Sequence, residues 1–178
     1  KFELTLPVAG EATLATQAQE AANAELVDLH GYTLLLAEDN PTNIELAVSV
    51  LEEEGAVVEV ATNGRIAVEM MAERGQTYDL ILMDMQMPEM NGLEATRAIR
   101  QDPRWAATPI LALSANAYAE DKQACLDAGM QDHIAKPVDL RVLKQMIARY
   151  ARQPRVARDL DSLGAPSSRS EEHTSELQ

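Results

Sequence analysis

From Tyr32 to about Tyr150, short apolar runs alternate with stretches whose apolar residues recur every three or four positions. Thr33 to Ala37 (TLLLA) is almost wholly apolar, as a strand covered on both faces would be. Asn40 suits a helix cap and Pro41 the first turn; Ile44, Ala47, Val48 and Leu51 then keep helical spacing until Gly55. Further strands are predicted at Val57 to Ala61, Asp79 to Met83, Pro109 to Leu113 and Asp132 to Ala135. Helices are predicted at Gly64 to Arg74, Leu93 to Arg100, Tyr118 to Ala128 and Val138 to Tyr150. Ile66, Ala67, Met70 and Met71 form one expected inward face; Leu140, Leu143, Met146, Ile147 and Tyr150 form another. Five strands alternating with five helices predict an α/β fold, a parallel sheet with helices on both faces and right-handed crossovers. In such sheets ligands sit beyond the carboxyl ends of the strands, at the topological switch point.

The ends have another texture. Residues 1–9 (KFELTLPVA) alternate like a strand that Pro7 stops, and residues 10–31 read as a linker rich in Ala, Gln, Glu and Thr. Beyond Tyr150 no apolar period continues, so residues 151–178 read as a disordered tail. Its last ten residues, RSEEHTSELQ from Arg169, look like one reading frame of a sequencing adapter, which would end the natural sequence near Ser168. The first residue is Lys1, so the chain is expected to be a fragment or processed product.

Charge narrows the function classes. The net is −14: one Lys against five carboxylates in residues 1–31, three Arg against five in 155–178, and −8 between them. This argues against non-specific nucleic-acid binding by the segment. No apolar run reaches membrane-spanning length, and the lone Cys125 fits a reducing, cytoplasmic setting. Trp105 is expected in a surface loop, Cys125 partly buried and inert, and Met83, Met85, Met87 and Met90 in packing roles.

The chemistry stands just past the strands. Glu38 and Asp39 follow the first, Asp84 the third, Ser114 the fourth, and Lys136-Pro137 the fifth. Three carboxylates at one rim would repel unless compensated. Mg²⁺ takes carboxylate and phosphate oxygens, Lys136 suits a phosphoryl oxygen, and Ser114 can donate to another. A carboxylate nucleophile can form an acyl phosphate, and phosphoryl transfer needs mainly positioning and charge neutralisation. Taken singly, the acidic pair could be a polar loop, Ser114 a cap and Lys136 a surface lysine; the conjunction is what points to phosphoryl chemistry.

These stretches resemble a known family. LLLAEDNPTNIELA, DLILMDMQMPEMNGLEATRAIR and PILALSANAYAEDKQACLDAGMQDHIAKPVD are similar, in order and spacing, to receiver (response regulator) domains of two-component systems, over residues 32–150. The resemblance implies a flavodoxin-like doubly wound sheet of order 2-1-3-4-5. It implies Asp84 as phosphoacceptor and a Mg²⁺ held by Asp39, Asp84, the Gln86 backbone carbonyl and, through water, Glu38. It implies that Ser114 and Lys136 contact the phosphoryl group, with the Lys136–Pro137 peptide cis. At the switch position three residues before the lysine, where many receivers carry Tyr or Phe, this chain has His133. The implied partner is a phosphohistidine donor domain, with the fourth helix, fifth strand and last helix as the responsive surface.

The wording of EDNPTN and DMQMPEMNGLEATRAIR is most like receivers of hybrid sensor histidine kinases. FELTLPVAG in turn resembles the last strand of a kinase ATP-binding domain. Three alternatives stand beside this reading. They are a regulator with a DNA-binding output domain, a phosphorylation-independent interaction module, and an aspartyl phosphatase. Gln86, where such phosphatases often carry a second Asp, speaks against the last.

Overall fold

The computed structural model of the chain describes residues 28–115 and 119–151. The expected features of residues 1–9, most of the linker, the tail and the predicted helix start at Tyr118 lie outside these. The described chain runs β1 (Thr33–Ala37), α1 (Pro41–Glu53), β2 (Val57–Ala61), α2 (Gly64–Arg74), β3 (Leu80–Asp84), α3 (Gly92–Arg100), β4 (Ile110–Ser114), α4 (Ala119–Ala128), β5 (Asp132–Ala135) and α5 (Leu140–Tyr150). All strand pairs are parallel, in the order β2-β1-β3-β4-β5, as the resemblance implied.

The alternation of side chains along each strand divides the core in two. Leu35, Ala37, Ile81, Met83, Ile110 and Ala112 point to one face, where Met71, Ile99 and Cys125 of α2, α3 and α4 cover them. Leu34, Leu36, Leu80, Leu82, Leu111 and Leu113 point to the other, against Leu51 of α1 and Leu143 and Ile147 of α5. Each fully buried leucine contributes about 1.5–3 kcal/mol. The central strands therefore hold the rim loops on a rigid base.

The helices begin where local chemistry dictates. Asn40 caps α1, accepting hydrogen bonds from the backbone N–H groups of Thr42 and Asn43, and Pro41 occupies the first turn. Asn91 and Glu94 form a reciprocal capping box at α3, so that helix starts at Gly92, one residue before the predicted Leu93. Gly55, at φ +91, ends the α1 turn in the left-handed region.

Packing departs from expectation at four places. Trp105 is buried, not a surface residue. The 3-10 turn Pro103–Trp105 folds its ring against Gly75 and Met71, with the Arg104 guanidinium 4.8 Å above it. Cys125 is fully rather than partly buried. Leu140 is 40% exposed instead of facing in, because α5 starts there and not at Val138. Packing also reaches back past Tyr32: Leu29 is fully buried and its N–H donates to the Glu54 carbonyl at 3.0 Å.

Candidate functional site

The sheet ladder carries on past the strand ends and so fixes the rim. The N–H groups of Glu38, Met85 and Lys136 donate to the carbonyls of Ala61, Leu113 and Ser114 at 3.0, 3.0 and 2.7 Å. Glu38 and Lys136, 98 positions apart, meet there through Lys136 Nζ and Glu38 Oε2 at 2.7 Å. The same Nζ lies 2.9 Å from Asp84 Oδ2. The Lys136–Pro137 peptide is cis.

Asp84 ends β3 and is 5% exposed. Its Oδ1 accepts the Gln86 N–H at 3.2 Å. Burial pushes the Asp84 carboxyl above the ordinary aspartate range and the neighbouring Glu38 charge adds to this, while the Lys136 and Gln86 donors work the other way. Burial also works to lower the Lys136 ammonium, but Glu38 and Asp84 outweigh it and hold it above its usual value.

Glu38, Asp39 and Asp84 each present a carboxylate oxygen within 4.8 Å of the others. Ionised, any two at that separation repel by about 3–4 kcal/mol at an effective dielectric of about 20. Lys136 offsets one of three negative charges; the remainder equals the charge of one divalent cation. An all-oxygen donor set with two buried carboxylates and one exposed fits Mg²⁺ or a similar hard ion. The four residues expected at the ion, Glu38, Asp39, Asp84 and Gln86, and the two expected at the phosphoryl group, Ser114 and Lys136, all stand at the carboxyl edge of the sheet. Ser114 is buried at the end of β4, and with Gln86, Asn91 and Leu93 it lines a cleft of about 530 Å³.

His133 stands apart, inside β5 opposite Ala112, its side chain 18% exposed. Its Nδ1 is 3.4 Å from Asp132 Oδ1, too oblique for a hydrogen bond. Two contributors were not legible in the sequence. Asn43 donates through Nδ2 to Glu38 Oε1 at 3.1 Å. Gly92 lies so close to the Asp84 backbone that a Cβ there would sit 2.3 Å from the Asp84 carbonyl oxygen. The Asn91-Gly92 pair was a signal for the second; nothing marked the first.

Comparison with known proteins agrees with this geometry. Residues 34–148 match the family described as response regulator receiver domain. The signal transduction histidine-protein kinase BarA of Escherichia coli is 40% identical over 118 residues, 66% of this chain. The chain spans only 13% of that relative's length. The receiver domain of sensor histidine kinase PA1611 from Pseudomonas aeruginosa is 42% identical, with a TM-score of 0.62 over 67% of this chain and 97% of that one. That structure has a magnesium ion coordinated in its active site cleft. The Saccharomyces cerevisiae Ssk1 receiver domain, solved with the histidine phosphotransfer protein Ypd1, is 30% identical, with a TM-score of 0.64 over 68% of this chain and 90% of that one.

Proposed function

This chain belongs to the response regulator receiver domain family, a module of phosphorelay signalling, and from that premise we propose that it accepts a phosphoryl group from a phosphohistidine onto Asp84. The observation that carries the reading is the meeting of Asp84, Glu38, Asp39 and Lys136 at one rim. Asp84 attacks phosphorus through a carboxylate oxygen. The O–P bond forms as the P–N bond breaks, and the electron pair leaves on the imidazole nitrogen. Lys136 turns from the carboxylates toward a phosphoryl oxygen, and the Ser114 hydroxyl donates to another. Glu38, Asp39, Asp84 and the Gln86 carbonyl would hold Mg²⁺, which when bound neutralises charge on the phosphoryl oxygens. Movement at Ser114 passes across the β4–β5 pairing to His133, and so to the surface of α4, β5 and α5.

The parent is proposed to be a cytoplasmically facing hybrid sensor histidine kinase, with residues 1–9 the end of its ATP-binding domain. The similarity to BarA and PA1611 supports the kinase parent. No helix among the described residues is long and apolar enough to cross a membrane.

The test uses the 178-residue chain with a small acyl phosphate, read by intact mass. One phosphoryl group is expected in the presence of Mg²⁺, and none with chelator or in Asp84→Ala. A folded wild-type chain that stays unmodified by both the acyl phosphate and a histidine-phosphorylated donor protein would sink the reading.

A further inference from the structure

Glu38 is 2% exposed, and a buried carboxylate needs donors in place of water. Lys136 serves Oε2. Oε1 accepts two hydrogen bonds from the start of α1: the Asn40 N–H at 3.2 Å and Asn43 Nδ2 at 3.1 Å. The arrangement is a capping box with an added member. In the ordinary form the third helical residue is Glu or Gln and takes the N-cap N–H itself. Here that residue is Asn43, and the carboxylate taking the N-cap N–H belongs to Glu38. Asn43 instead donates to that same oxygen. It is an exposed residue whose amide reaches back five positions to a buried group.

We infer that Asn43 is a positioning residue for the acidic cleft, clamping Glu38 Oε1 so that Oε2 stays turned toward Asp84 and Lys136. The amide is neutral. It fixes the carboxylate's rotation without competing with a cation for its charge. Hydrogen-bonded supports of this kind commonly alter metal affinity by tenfold or more. The inference rests on the reading of the cleft as a Mg²⁺ site.

The experiment is calorimetric titration of the full chain with Mg²⁺, comparing wild type, Asn43→Ala, Glu38→Gln and the double variant. Melting curves in chelator report folding. Ala is the strongest helix former, and Asn43→Leu, similar in size without a donor, provides a second case. Mg²⁺ affinity is expected to fall about tenfold in both Asn43 variants, and to fall little further when Asn43→Ala is added to Glu38→Gln. Wild-type affinity in a folded Asn43 variant overturns the clamp. So does an equal loss in the Glu38→Gln background, which would mean Asn43 acts elsewhere. A wild-type chain that takes up no Mg²⁺ overturns the metal reading of the cleft, and the clamp with it.

Discussion

Lys136 is one ammonium serving two buried carboxylates, and it is itself about one-fifth exposed. Its removal leaves Glu38 and Asp84 facing each other with little water between them. Lys136→Met is expected to cost about 1–3 kcal/mol in chelator, below the range for a fully buried pair because the lysine is partly solvated. Added Mg²⁺ should recover part of the loss by binding the folded state alone. Urea unfolding with and without Mg²⁺ checks both statements. Gly92 is constrained from a different direction. A methyl group there would meet the Asp84 carbonyl and the Met85 backbone, which cannot retreat without moving the proposed acceptor. Gly92→Ala is therefore expected to lower stability by about 2 kcal/mol or more. A melting curve of Gly92→Ala matching wild type would contradict that.

At the scale of elements, β5 is an edge strand that α5 fastens from one end. Tyr150, the last residue of α5, donates its hydroxyl to Asp132 Oδ2 at 3.0 Å, and the His133 N–H donates to Oδ1 at 2.9 Å. Burial works to raise the Asp132 carboxyl, but these donors and Lys122 outweigh it, leaving it below the ordinary aspartate range. A depressed folded-state value means stability that is present above the ordinary value and lost as pH falls through the depressed one. Asp132→Asn is expected to cost about 1 kcal/mol at neutral pH. The gap from wild type should narrow as the solution is acidified below the ordinary aspartate value. Parallel urea titrations at the two pH values measure it, and a gap that does not change would rule out the ionised contact. Arg100 plays a comparable fastening part: it donates to the carbonyls of Gly129, Trp105 and Thr108, each at 2.9 Å, joining α3 to the connections that lead into β4 and β5.

For the molecule as a whole, the sheet and the rim were readable because they obey period and position. β1, β3 and β4 are short apolar runs, and Glu38, Asp84 and Ser114 are placed by where those runs stop; Lys136 follows the half-polar β5. Trp105 is not placed in this way, since a 3-10 turn of three residues has no period to read and its burial depends on the space over Gly75. Leu140 has the helical spacing of the inward face, yet α5 begins at that residue and leaves it at the helix mouth. Nothing in the sequence marks Asn43, because its contact is between side chains, back to the preceding loop. Leu29 reads as linker by composition, although it is fully buried in the core cluster that holds Leu34, Leu51 and Ala56. A chain beginning at Tyr32 should therefore be less stable than one beginning at Asp28, by about 2–3 kcal/mol for the lost leucine. Equal melting temperatures would contradict that.

The pairing of Glu38 with Lys136 across 98 positions also bears on when the protein becomes competent. During synthesis the acidic loop leaves the ribosome long before the lysine that answers it, and β5, an edge strand, is the last strand of the sheet to be made. Until it joins, Asp84 has its carboxylate neighbours but no ammonium, and the loop carrying Lys136 has no β4 edge to hold it. A chain without β5 in place thus lacks the Lys136 contacts to Glu38 and Asp84 on which the proposed phosphoryl transfer draws. On the proposed mechanism, then, the site is complete only in molecules whose last strand has joined the sheet.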